Sequence, residues 1–170
     1  MADSKLSALP AVTTLSGSDL LYVDASNASS KMTSTNFNAV VRGSITDRIV
    51  FCIGDGTNVI TTGIKKCVEV RKACTITGWK ILSDDASTTS GAIVIDIWRL
   101  AYATSYPPLV ANSLISGGTK PTITASATSA ASSSMANWNT SLLAGDILRF
   151  NVDSVTSLTS ITLILATTLV

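Results

Sequence analysis

From residue 49 onward, apolar and polar positions alternate in short runs separated by turn formers. Residues 49–53 (Ile-Val-Phe-Cys-Ile) end at Gly54-Asp55-Gly56, residues 67–70 are followed by 74–77, and 79–82 end at Ser83-Asp84-Asp85. The strongest run is 92–98, where alternation sets Ile93, Ile95 and Ile97 on one face and Val94, Asp96 and Trp98 on the other. Further runs follow at 121–124, 132–138, 147–152 and 160–166. About eight short strands at roughly 8–15-residue spacing, with no long helical period between them, predict an all-β fold. The expected architecture is an antiparallel β-sandwich or jelly roll over residues 46–170, with Phe51, Ile76, Ile81, Ile95, Leu148, Phe150 and Leu163 inside. The Ser/Thr/Ala tract at 122–136 reads as a linker or as strands with small alternating side chains. The strand reading is preferred, because a linker would leave a sheet edge open. No internal repeat is present, which excludes solenoids and propellers.

Residues 1–45 have a different texture. Pro10 and Gly17 interrupt any helix, the apolar run 20–23 is short, and a polar loop is expected at 25–30. Thr33 or Ser34 can then cap a brief helix through residues 36–41, closed by Gly43. Leu6, Leu9, Val12, Leu15, Leu20, Leu21, Val23 and Phe37 are apolar anchors too few to bury one another, so this segment is expected to dock on something else.

Composition narrows the function. Charged residues are 14% of the chain, against 24 Ser and 23 Thr, so the surface meets water with hydroxyls rather than charges. A net charge of +1 and no basic block longer than Lys65-Lys66 argue against a nucleic-acid partner. The chain has no histidine and a single glutamate, Glu69, which removes the usual general base, the commonest metal ligand and any glutamate pair. No apolar run is long enough to span a membrane, and the start lacks the basic and apolar regions of a signal peptide. The expectation is a protein made in a cytoplasm, with no membrane association. Cys52, Cys67 and Cys74 are odd in number and match no zinc spacing, so they read as small, reduced, buried hydrophobes.

The residues that could carry chemistry each have a plainer reading. Gly54-Asp55-Gly56 lacks the rest of a phosphate or calcium loop and reads as a tight hairpin turn. The Gly145-Asp146 pair reads as a turn delivering Ile147 into a strand. Asp84 and Asp96 could form a carboxylate pair only if the fold brought them together; otherwise Asp96 faces solvent or pairs with Arg99 or Lys80. Trp98, Tyr102 and Tyr106 concentrate three of the nine aromatic residues beside Pro107-Pro108. They either stack a sugar or contact a protein, or Trp98 caps the sandwich while the tyrosines pin the loop. No catalytic, metal or cofactor site is expected.

The leader 6–24, Leu-Ser-Ala-Leu-Pro-Ala-Val-Thr-Thr-Leu-Ser-Gly-Ser-Asp-Leu-Leu-Tyr-Val-Asp, followed by Ser30-Lys31-Met32-Thr33 and a short helix, resembles the N-terminal attachment module of phage fibre and baseplate-associated proteins. The segments 60–64, 73–76, 93–98 and 144–152 are similar to a small β domain at the distal end of such proteins. The resemblance implies a non-enzymatic virion protein on the particle exterior, with residues 1–45 docking and 46–170 displayed. It implies a homotrimer and, as partners, the major capsid protein or proteins of the tail and portal region. Tail fibres of this style carry a long repeat shaft, and here only residues 41–48 separate the two modules. A capsid decoration, cement or head-fibre subunit therefore fits as well as a short tail fibre or receptor-binding protein that contacts host surface glycans.

Overall fold

The computed structural model describes residues 20–25, 28–85 and 91–170, with backbone alone at 20–25 and 28–31. The chain divides into two units, Met1–Arg42 and Gly43–Val170.

In the first unit, β1 (Leu20–Ala25) and β2 (Ala28–Thr33) form an antiparallel hairpin, and α1 (Ser34–Ser44) follows directly. The second strand of this hairpin occupies half of the expected polar loop: Ala28 to Ser30 pair with Val23 to Ala25, so strand pairing satisfies a backbone whose side chains carry no apolar signal. Thr33 caps the helix as expected, its Oγ1 accepting the Asn36 N–H at 3.1 Å. Gly43 lies inside the last turn of α1 rather than closing it. Leu6, Leu9, Val12 and Leu15 lie outside the described residues, Leu20, Leu21 and Val23 are in β1, and Phe37 is exposed on α1.

The second unit is an all-β sandwich of two antiparallel sheets. One has the order β3 (Thr46–Gly54), β11 (Ser160–Leu169), β5 (Cys74–Ser83), β8 (Ser129–Ser132), with β9 (Ser141–Leu142) also on β5. The other has the order β4 (Gly63–Glu69), β10 (Asp146–Thr156), β6 (Ala92–Ala101), β7 (Thr122–Ile123). Setting aside the two-residue β9, eight strands pair from the ends of the chain inward: first with last, second with seventh, third with sixth, fourth with fifth. A long antiparallel hairpin rolled over on itself has this pairing, and it is the topology of a jelly roll.

The inner faces follow the period-2 pattern. Ile93, Ile95 and Ile97 are fully buried, and so are or nearly are Phe51, Ile76, Ile81, Leu148, Phe150 and Leu163. Phe51 of one sheet stacks on Phe150 of the other, with ring centroids 4.1 Å apart and planes 11° from parallel. Two β-bulges adjust the pattern. At Thr77-Gly78 the register against β11 slips by one, so Ile76 and Trp79 both point inward across one continuous strand where the sequence suggests two. At Asp153 the register of β10 against β6 slips likewise, returning Val155 to the core.

Three expectations are corrected here. The strand expected at 132–138 is instead β8 at Ser129–Ser132, and the residues after it form turns that bring Trp138 to the sandwich edge. Gly54-Asp55-Gly56 is a turn but not a hairpin, because β3 and β4 belong to different sheets and the chain crosses between them. Of the cysteines only Cys74 is buried; Cys52 is exposed and Cys67 half-buried. Cys52 lies between the inward Phe51 and Ile53, so alternation turns its thiol outward, 3.7 Å from Thr162 Oγ1.

Asp55 fixes the crossing turn. The Asn58 side-chain amide donates to it at 2.8 Å, and the backbone N–H groups of Asn58 and Thr57 donate at 2.7 and 2.8 Å. These bonds, the Asn58 side chain foremost, lower the carboxyl from 3.8 to about 2. What the turn contributes through this carboxylate is therefore complete above pH 3.8 and lost as pH falls through about 2. Asn58→Ala should return the Asp55 titration toward 3.8, as read by NMR of its carboxyl carbon. In the core, Phe150→Ala should cost about 3–5 kcal/mol in denaturant unfolding while leaving a β-dominated far-UV dichroism spectrum. Gly54→Ala should also destabilise strongly: Gly54 has φ of +97°, and an added Cβ would run into the carbonyl oxygen of Thr159.

Candidate functional site

Between β6 and β7 the chain leaves the sheet for 20 residues (102–121) and folds back over it. The anchor of this excursion is Asp96. Its neighbours Ile95 and Ile97 face the core, so Asp96 points to the opposite face, yet it is only 3% exposed because the excursion covers it. Its Oδ1 accepts the Ile97 N–H at 2.8 Å and the Ser113 hydroxyl at 2.7 Å. Its Oδ2 accepts the Trp98 indole N–H and the Lys120 ammonium, both at 3.1 Å. Asp96 therefore neither faces solvent nor pairs with Arg99 or Lys80. Asp84 is bonded elsewhere, to the Ser160 hydroxyl at 3.2 Å, and shares no partner with Asp96.

Lys120 bridges Asp96 to Asp153, which it meets at 2.7 Å. Asp153 is the bulged residue of β10; its neighbour Val152 faces the core, so alternation places the Asp153 carboxylate on the outer face, where it meets Lys120. Burial of the ammonium pulls Lys120 down, but hydrogen bonds to Asp153 and Asp96 and their negative charges outweigh it and hold the group above its ordinary value. The backbone adds further ties: Leu114 N–H donates to Ile97 O, Ser113 bridges to Trp98, and Ile115 bridges to Trp138. Arg149 Nη1 donates to Pro108 O at 2.9 Å and holds the front of the loop.

On this base sit the aromatic residues. Trp98 is buried, its indole spent on Asp96, so its ring is part of the wall and not of a surface. Tyr102 and Tyr106 are 67% and 58% exposed, with ring centroids 6.0 Å apart and planes tilted by 56°. They do not pin the loop by burial. The Tyr106 hydroxyl lies 4.0 Å from Cys67 Sγ, and donating to that sulfur holds the phenol above its ordinary 10.0.

At the end of β6, Arg99 and Asp146 form a second ion pair. Asp146 is buried, and its Oδ2 accepts Arg99 Nε at 2.6 Å and the Leu143 N–H at 2.7 Å, while its Oδ1 has no hydrogen-bond partner. It closes the turn around Gly145 and also carries a charge into the sandwich edge, a role beyond that of a turn residue. Sequence reasoning passes over Ser113, Lys120 and Asp153 and takes Asp146 only as a turn residue, because their partners lie 17 to 47 residues away along the chain. The one local signal is a carboxylate in the middle of the most apolar strand. Asp85, by contrast, accepts both the N–H and the hydroxyl of Thr159 and ties two loops at the other end of the strands.

Asp96→Asn should lower stability by about 2 kcal/mol, since it weakens a charge-assisted network without emptying the site. The raised Lys120 contributes stability in full below pH 10.5, and that contribution is lost as pH rises through its higher folded value. The stability difference between the wild-type chain and Lys120→Met, read from urea unfolding, should therefore be constant from pH 7 to 10 and shrink above 10.5.

Comparison of the chain with protein-family models, with curated proteins and with solved structures finds no match.

Proposed function

We propose that this chain is a non-enzymatic accessory protein of a phage particle, which docks through its first unit and displays the β-sandwich outward, in three copies per attachment point. The observation that carries the reading is the division of the chain into two compact units between Arg42 and Gly43. Among the described residues, every buried residue of the sandwich core lies between Phe51 and Leu165, within the second unit. The first unit instead presents apolar surface. Phe37, Val40 and Val41, at i, i+3 and i+4 on α1, are all exposed, Phe37 to 44%. Exposed apolar stripes of this kind mark contact surfaces. The attachment-module resemblance of residues 6–24 supplies the particle, and the major capsid protein or the tail and portal proteins supply the complementary surface. Three linked copies multiply weak docking contacts into avidity.

The exposed Tyr102–Tyr106 pair on its fixed base favours a second reading, in which the displayed sandwich grips a host surface glycan. Virions lacking the protein separate the two. Loss of heat resistance or genome retention with normal adsorption supports the structural role, and reduced adsorption by stable particles supports the receptor role.

Removal of residues 1–42 should leave a folded β domain that no longer incorporates into particles, while Phe37→Asp in the full chain weakens incorporation only partly. Full occupancy by the truncated protein would place docking on the sandwich and overturn the proposal.

A further inference from the structure

Beside the excursion, Arg99, Thr104, Asn112, Ser113 and Asn139 line a cleft of about 400 Å³, within the ~300–1,000 Å³ range of small-molecule sites. Arg99 comes to it on the inward parity of β6, one step beyond Ile97, where the sandwich ends and the core gives way to polar side chains. Its guanidinium is held from one side only. Nε donates to the buried Asp146, and the side chain is 21% exposed. Among the described residues neither terminal nitrogen has a hydrogen-bond partner. A guanidinium fixed through Nε presents the pair of terminal nitrogens as a planar fork, the arrangement that takes a carboxylate by two parallel hydrogen bonds.

The rest of the lining is donor-rich and unspent. Asn112 uses its Oδ1 to accept the Leu109 N–H, and its side-chain NH₂ has no partner among the described residues. The side chains of Asn139 and Thr104 make no hydrogen bond among the described residues, and Asn139 is held in place through its backbone, which donates to Leu114 O at 2.8 Å. Ser113 is committed to Asp96, so the clasp fixes one wall of the cleft. Amides and a hydroxyl around a fork are what directional recognition of sugar hydroxyls requires.

We propose that this cleft binds a carboxylate-bearing saccharide, with the carboxylate on the Arg99 terminal nitrogens and ring hydroxyls on Asn112, Asn139 and Thr104. Asp146 is a positioning residue: it holds the guanidinium and does not touch the ligand. The site is independent of particle docking and does not rest on that reading.

The test is an NMR titration of the full-length chain with sodium glucuronate, in parallel with glucose and with inorganic phosphate. Glucuronate should give saturable shifts of the Arg99 side-chain N–H and of the Asn112 and Asn139 side-chain amides, with glucose at least about tenfold weaker. Arg99→Lys keeps the charge but removes the fork and should weaken binding about tenfold, and Asn139→Ala and Thr104→Ala should each weaken it about threefold. Because Arg99→Lys disturbs a buried ion pair, the two exposed-residue variants decide the matter if it fails to fold. Absence of saturable shifts, equal binding of glucose, or wild-type affinity in both Asn139→Ala and Thr104→Ala would overturn the proposal. Phosphate binding as tightly as glucuronate would overturn the saccharide assignment.

Discussion

The structure depends on one apolar layer, the inner faces of the two sandwich sheets pressed together with Phe51 stacked on Phe150. A chain with so few charges and so many hydroxyls has little else to hold it. Its surface Ser and Thr residues gain almost nothing on folding, since they exchange one hydrogen-bond partner for another. Burial of Ile, Leu, Val and Phe must therefore supply the driving force, and it does so only when both sheets are complete. This makes the fold cooperative and non-local. The first strand of the sandwich pairs with the last, more than a hundred residues away, so the layer cannot form piecemeal.

Two departures from regular pleating let that layer coexist with function. The bulge at Thr77-Gly78 keeps Ile76 and Trp79 in the core although they are three residues apart. The bulge at Asp153 returns Val155 to the core, while the bulged residue itself, outward after Val152, gives its carboxylate to Lys120. The same stretch of strand thus serves packing on one face and the loop anchor on the other. Through Lys120 and Ser113, Asp96 then holds a 20-residue excursion against a sheet face that would otherwise meet water. A buried carboxylate is costly unless it is satisfied, and here every lone pair that matters has a donor. That cost makes the clasp specific: the excursion has one seat.

The consequence is a rigid platform. Loops that bind are most effective when a scaffold fixes their base, and this loop is fixed at Pro108 by Arg149, at Ser113 and Lys120 by Asp96, and at Leu114 by the β6 backbone. What it leaves exposed, the tyrosine pair and the Arg99 cleft, is presented without the ordering cost of a mobile loop.

The strands were legible because period-2 alternation is a property of neighbours. Ile93, Ile95 and Ile97 announce their face wherever the strand lies, and the absence of histidine and of all but one glutamate bounds the chemistry before any fold is known. Alternation also turns Cys52 outward, a consequence that its identity as a small hydrophobe obscures. What depended on tertiary structure was everything set by strand order. Local pattern cannot say that the first strand pairs with the eighth, that a Ser/Thr/Ala tract contributes only two short strands, or that the Gly-Asp-Gly turn crosses between sheets. Nor can it give the partner of a lone carboxylate. Asp96 and Asp146 look alike in sequence, each a single acid among apolar residues. Only the return of residues 113 and 120 over one, and of Arg99 beside the other, makes the first a clasp and the second the support of a free guanidinium fork. Propensity and alternation act within a few residues, whereas ion-pair partners are chosen by which strands the core brings side by side.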